Sequence, residues 1–104
     1  MICDATFDDF LKEADKPVLL FFTGSFCAPS VWIADLLSLE DPVFDRMQVV
    51  KIDVEKCPMS ALKMQIKGTP TLMLVHEGQP VANRIGTQTE DEFFDWIEAE
   101  LKKL

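Results

Sequence analysis

Apolar positions along the chain follow two periods. Val18 to Thr23 (VLLFFT), Gln48 to Val54 (QVVKIDV) and Thr71 to His76 (TLMLVH) are short apolar runs between polar or turn residues, which predicts strands. The unbroken first run suits a strand buried on both faces, as in a parallel sheet. Val81 to Ile85 follows the turn residues Glu77-Gly78 and predicts a fourth strand in a hairpin. Elsewhere the spacing is helical. Phe7, Phe10, Leu11 and Ala14 recur on one face after Thr6-Phe-Asp-Asp9, a hydroxyl followed by an acid three residues on. This predicts a capped helix over roughly 6–15, stopped by Pro17. Val31 to Leu37 contains no glycine or proline and predicts a helix over about 28–39, with a turn at Glu40-Asp-Pro42 and a last helical piece at Val43-Phe44. Pro58, as a first helical residue, opens a short helix with Ala61, Leu62 and Ile66 on one face, broken at Lys67-Gly-Thr-Pro70. Thr89-x-x-Glu92 is a capping box. It opens a closing helix with Phe93, Phe94, Ile97 and Leu101 on one side, acids early and lysines late, as the macrodipole favours.

The predicted order is helix, strand, helix, strand, helix, strand, strand, helix. Helical crossovers imply parallel pairing and the last hairpin adds antiparallel strands. The expected fold is α/β, a three-layer sandwich with helices on both faces of a mixed four- to five-stranded sheet. No repeat or linker divides the chain, so residues 1–104 read as one domain.

Composition narrows the function classes. Hydrophobic residues make up 48% of the chain, enough for a core without disulfide staples. The formal net charge of −8 repels phosphate backbones and anionic lipid, so neither nucleic acid nor a membrane is an expected partner. Three cysteines (Cys3, Cys27, Cys57) at irregular spacing are not a secreted disulfide framework, and the acidic N-terminus is not a secretory signal. A reducing, cytoplasmic setting is expected; an exported domain trimmed of its signal would read the same way.

The chemistry concentrates in Thr-Gly-Ser-Phe-Cys-Ala-Pro-Ser, residues 23–30. Cys27 follows a buried strand and opens a helix, where unpaired N–H groups and the partial positive charge favour a thiolate, the nucleophilic form. Pro29 fits the first helical turn, where its missing N–H does no harm. Phe26 and Trp32 supply an apolar rim. No Lys, Arg or His lies within three residues of Cys27, so activation rests on the helix end. A second signal is Gly68-Thr-Pro-Thr71, between a helix and a strand. A proline there is either trans, simply starting the strand, or cis, marking a tight geometry.

Together, Cys27-Ala28-Pro29-Ser30, Gly68-Thr69-Pro70-Thr71, the element order, and Glu77-Gly78 followed by Ile85-Gly86 resemble the thioredoxin family over nearly the whole chain. The family's hallmark is Cys-Gly-Pro-Cys or Cys-Ala-Pro-Cys, usually after tryptophan; its initial strand would shrink to a few residues around Ile2. The resemblance implies that Cys27 attacks a substrate disulfide, that Phe26, Ala28, Pro29, Trp32, Thr69 and a cis Pro70 line the substrate site, and that the Thr69 backbone pairs with an extended substrate segment. It implies protein disulfides as substrates, a thioredoxin reductase or glutathione as electron donor, a monomer, and no cofactor.

The departures from that family pattern are specific. Ser30 replaces the resolving cysteine, and a hydroxyl does not exchange with disulfides, so a mixed disulfide on Cys27 would persist. Ser30 is either native to a monothiol protein or a cysteine replacement, and its hydroxyl could still donate to the Cys27 thiolate. The family's buried acid falls at Phe21, its lysine neighbour persists as Lys51, and its helix-kinking proline falls at Asp35. Two functions follow: a thiol–disulfide oxidoreductase short of its resolving thiol, or a redox-inactive adaptor or chaperone-type module using the same apolar rim. A glutaredoxin-like monothiol role is weaker, because Ala-Pro-Ser lacks that family's aromatic residue and the acidic surface does not attract glutathione's carboxylates.

The remaining residues read blandly. Cys57 is expected to be an incidental, partly buried thiol, with a regulatory or dimerising disulfide as the sharper alternative. Cys3, near the terminus, is expected to oxidise readily. His76, the only histidine, sits at a strand end away from the motifs and carries no catalytic expectation. The cysteines and His76 lack metal-ligand spacing.

Overall fold

The computed structural model describes residues 4–25 and 28–104. Its elements are α1 (Phe7–Glu13), β1 (Val18–Thr23), α2 (Pro29–Leu37), a 3-10 turn (Pro42–Arg46), β2 (Gln48–Asp53), α3 (Pro58–Lys63), β3 (Thr71–His76), β4 (Gln79–Ile85) and α4 (Glu90–Lys102). Among the described residues the sheet has four strands in the order β2-β1-β3-β4. β1 runs parallel to β2, with Phe21 opposite Lys51, and antiparallel to β3, with Phe22 opposite Thr71. The mixed α/β sandwich expected from the apolar runs is the architecture observed; the short initial strand around Ile2 lies outside the described residues.

The two central strands explain their own composition. Every residue of β1 is buried, and alternate side chains enter opposite cores. Leu19 and Phe21 join Leu72 and Leu74 of β3 beneath α2 and α4, with Ile33, Leu36, Phe93 and Ile97. Val18, Leu20 and Phe22 join Met73 and Val75 on the other face, under α1 and α3, with Phe7, Leu11 and Cys57. The edge strands β2 and β4 need cover on one face only and are largely exposed. Pro80 is tolerated in β4 because that strand is an edge.

Local chemistry sets the boundaries. Glu77 and Gly78 have φ of 53° and 79°, the left-handed pair of a two-residue hairpin, so β4 starts at Gln79 and not at Val81. Asp41 caps the 3-10 turn by accepting the Val43 N–H at 2.9 Å. The Thr89–Glu92 box closes in both directions, at 2.9 and 3.1 Å. The first helix differs from expectation: Thr6 stands at its N-cap position with its hydroxyl making no capping bond. Leu62 also departs, being 69% exposed. The reason is that α3 stops at Lys63, one turn short of Ile66. Gln65 turns left-handed (φ 57°), and the Ile66 N–H reaches back to the Ala61 carbonyl at 3.0 Å.

Candidate active site at the β1–α2 junction

The junction forms because β1 ends where the sheet ends. Past Thr23 the chain leaves the ladder at Gly24, and a Cβ there would meet Val54 Cγ2 at 3.7 Å and Thr69 Oγ1 at 3.9 Å. The segment leading into the cysteine motif therefore passes beside the Gly68-Thr-Pro loop. Ser25 continues the tie by hydrogen bonding to the Glu55 carboxylate, across to the loop after β2. Phe26 and Cys27 themselves lie outside the described residues. On the far side, Ala28 is the N-cap of α2 and Pro29 its first residue, with no acid in the first turn to oppose the positive helix end.

The Thr69–Pro70 bond is cis. The Gly86 N–H donates to the Pro70 carbonyl at 2.9 Å, and Thr71 Oγ1 donates back to the Gly68 carbonyl at 2.6 Å. Pro70 is buried and Thr69 half-buried at the end of the sheet where Gly24 emerges. Ala28 and Pro29 are exposed, and Trp32 is 53% exposed next to Val31 at 65%. Trp32 is oriented by its indole N–H, which donates to the Gln88 carbonyl at 2.8 Å. Its ring forms a shallow groove with Asp35, Leu36, Leu39 and Glu90.

Ser30 is buried, and its Oγ has no hydrogen-bond partner among the described residues. An unpaired buried hydroxyl is costly, which makes the space at position 30 better suited to a less polar group. Phe21 is 3% exposed inside the core beneath α2, so an apolar ring and not a carboxylate occupies that position. Lys51 is opposite it in register but exposed on the edge strand. Asp35 lies within α2, which runs unbroken from Pro29 to Leu37.

The thioredoxin family model matches residues 1–99. The chain belongs to the thioredoxin family. It is 36% identical to thioredoxin Y1, chloroplastic, of Arabidopsis thaliana over 93% of its length, although it spans only 57% of that protein. It is 32% identical to a thioredoxin of Rhodospirillum rubrum, covering 94% of this chain and 95% of the relative. A thioredoxin-like protein of Synechocystis is 39% identical over 81% of each chain. The relatives come from a chloroplast and from bacteria, and no described helix is long and apolar enough to cross a membrane.

Three residues, one beside the junction and two at the start of α3, carry more than the sequence signals assign them. Gln88 was not singled out, yet its carbonyl holds Trp32 and its own side-chain Oε1 is buried without a partner. Asp4 accepts from the Ser60 N–H at 2.7 Å, the Ser60 hydroxyl at 2.8 Å and the Met59 N–H at 3.2 Å. Desolvation raises the Asp4 pKa, but the bonds from Ser60 and Met59 outweigh it and hold the carboxyl below its ordinary value. Cys57 is corrected outright. It is fully buried rather than partly, because it precedes Pro58 at the N-cap of α3 and faces the apolar core under α1, and it is disulfide-bonded rather than a thiol.

Proposed function

We propose that the protein is a thiol–disulfide oxidoreductase in which Cys27 performs the attacking step alone. The Cys27 thiolate attacks one sulfur of a protein disulfide. A new sulfur–sulfur bond forms, and the other substrate sulfur leaves as a thiolate. Ser30 offers no thiol to break the mixed disulfide, so an external thiol must do it. Glutathione, or a dithiol partner kept reduced by a thioredoxin reductase, would supply the electrons in a cytoplasmic setting. Phe26, Ala28, Pro29 and Trp32 would flank an extended substrate segment, with Thr69 and Pro70 beside it and Lys51 behind. The monomer is the expected working unit.

The observation that supports this reading is the approach of Gly24, three residues before Cys27, to Thr69 of the cis-proline loop, beside the exposed Val31 and Trp32 of α2. A second reading, a non-covalent adaptor or chaperone-type module, is favoured by Phe21, which removes the acid beneath the site, and by the exposure of Val31 and Trp32.

Turnover of a protein disulfide with a small-thiol or reductase donor separates the two. We expect the chain to stall as a Cys27 mixed disulfide and Ser30→Cys to turn over. An inert Ser30→Cys, with Cys27 alkylated no faster than a free cysteine, would favour the adaptor.

A further inference from the structure

A shallow groove runs between α2 and the start of α4, lined by Trp32, Asp35, Leu36, Leu39 and Glu90. Leu36 is buried at its base, and the other four are exposed around it. Its space is about 110 Å³. Sites that take a drug-sized ligand need roughly 300–1,000 Å³, so this one fits a single side chain of a docked protein. Charge narrows that side chain. Residues 17–45 and 85–101 contain no lysine or arginine. Arg46 and Lys103 pair with Glu98 and Glu100, toward the far end of α4. Asp35 and Glu90 have no ion pair among the described residues. Trp32 adds a ring face. Its indole N–H is held by the Gln88 carbonyl, and the residue stays 53% exposed. Trp96 shows the contact such a ring makes in this fold: the Arg84 guanidinium stands 5.7 Å from its centroid. Trp32 has no cation over it among the described residues.

We infer that this groove is a subsite for an arginine side chain of the protein whose disulfide Cys27 attacks. The aliphatic stem lies along Leu36 and Leu39, and the guanidinium stacks on Trp32 and pairs with Asp35 and Glu90. A lysine supplies stem and charge without the planar face and fits less well. A second copy of this chain is a poor occupant, because both carry a net charge of −8. The subsite rests on the proposed exchange at Cys27 and narrows its substrates to segments with an arginine near the reacting cysteine. The spacing follows from the helix. At about 1.5 Å per residue, Trp32 lies about 4.5 Å and Asp35 about 9 Å beyond Pro29 along α2. An extended segment covers that span in about three residues at roughly 3.3 Å each.

Two short glycine–serine peptides with amidated ends test this, one carrying arginine and one carrying citrulline, its uncharged isostere. Without a cysteine, each is titrated into the full chain and followed by NMR at the two indole N–H groups. We expect the Trp32 signal to shift with the arginine peptide, the Trp96 signal to stay, and citrulline to bind about fivefold more weakly. Equal shifts with both peptides, or an undiminished arginine preference in Asp35→Asn/Glu90→Gln, would overturn the subsite. The same peptides are then given a cysteine about three residues from the test position, capped as a disulfide with 5-thio-2-nitrobenzoate. In the dithiol-reduced chain the Cys27 thiolate bonds to the peptide sulfur, and thionitrobenzoate leaves as the coloured thiolate. Capture is counted on the tryptic peptide 13–46, which holds Cys27. We expect the arginine peptide to be captured about fivefold faster, falling to near parity in the double variant. Capture of both at one rate would sink the subsite and leave the exchange standing. No capture of either, with the Trp32 shift retained, would sink the exchange and leave an arginine site.

Discussion

The indole N–H of Trp32 donates to the backbone carbonyl of Gln88 at 2.8 Å, joining the first turns of α2 to the segment that enters α4. The bond fixes which face of the ring lines the exposed rim. Trp32→Phe keeps an apolar body and removes the donor. Leaving a part-buried carbonyl without its partner should lower stability by about 1 kcal/mol, measured by urea unfolding. A further loss of substrate capture in Trp32→Ala, beyond that in Trp32→Phe, would show that the ring contributes contact area and not only order.

Ser30 makes an opposite prediction. Its hydroxyl is buried with no partner among the described residues, so Ser30→Ala should raise stability, by about 1 kcal/mol. The alternative is informative. If Ser30→Ala lowers stability, and lowers it more at a pH where Cys27 is ionised, the hydroxyl is donating to the Cys27 thiolate. The check is a pair of urea titrations at pH 6 and pH 9.

The limits of legibility follow a physical line. Val18–Thr23 and Thr71–His76 are observed at the bounds their apolar runs predicted, because central strands buried on both faces have no other composition available. Relations across long separations were invisible. Trp32 to Gln88 and Asp4 to Ser60 each span 56 residues, and nothing local marks either partner. The apolar pattern runs on to Ile66 and so predicts Leu62 on the inward face, whereas a left-handed residue, and not a proline or glycine, ends the helix. The burial of Cys57 is illegible for a similar reason: it depends on what the fold packs over the start of α3.

That left-handed residue is a testable weakness. Gln65, at φ 57°, holds the position after α3 that glycine fills without steric cost. Gln65→Gly should stabilise the protein by roughly 0.5–1 kcal/mol, since relief of the Cβ clash exceeds the added freedom of the unfolded chain. Thermal unfolding of the two chains decides it; no gain would mean that the Gln65 side chain makes compensating contacts.

Acid sensitivity should trace in part to the α4 cap. The Thr89 N–H and then the Thr89 hydroxyl site hold the Glu92 carboxyl below its ordinary value, against a raising contribution from desolvation and with help from Arg84. A depressed folded pKa means that Glu92 stabilises the fold fully above the unfolded value, about 4.3, and that this contribution fades as pH falls through the lower folded value. Glu92→Gln should therefore flatten the loss of stability below about pH 4.3 while costing most at neutral pH. Thr89→Ala should cost about 1 kcal/mol at pH 7. Urea midpoints at pH 7 and pH 3 test both.

Phe21 is the sharpest point at which this chain departs from its family pattern, and restoring an acid there has a predictable consequence. The ring is 3% exposed among Leu19, Leu72, Ile33 and Phe93. Phe21→Asp removes most of that volume, a change that costs about 3–5 kcal/mol even for replacement by alanine, and it adds a carboxyl with no prepared partner. Burial raises the carboxyl's folded pKa above its unfolded value of about 3.9. The penalty should then grow as pH rises above that value and level off beyond the folded pKa. The cation paired directly with position 21 is Lys51, which is exposed on an edge strand and would have to lean over the sheet to reach it. The difference in urea midpoint between Phe21→Asp and the parent should be larger at pH 8 than at pH 4. An equal difference at both would mean that water or Lys51 reaches position 21, and that the packing under α2 yields more readily than a closed apolar core should.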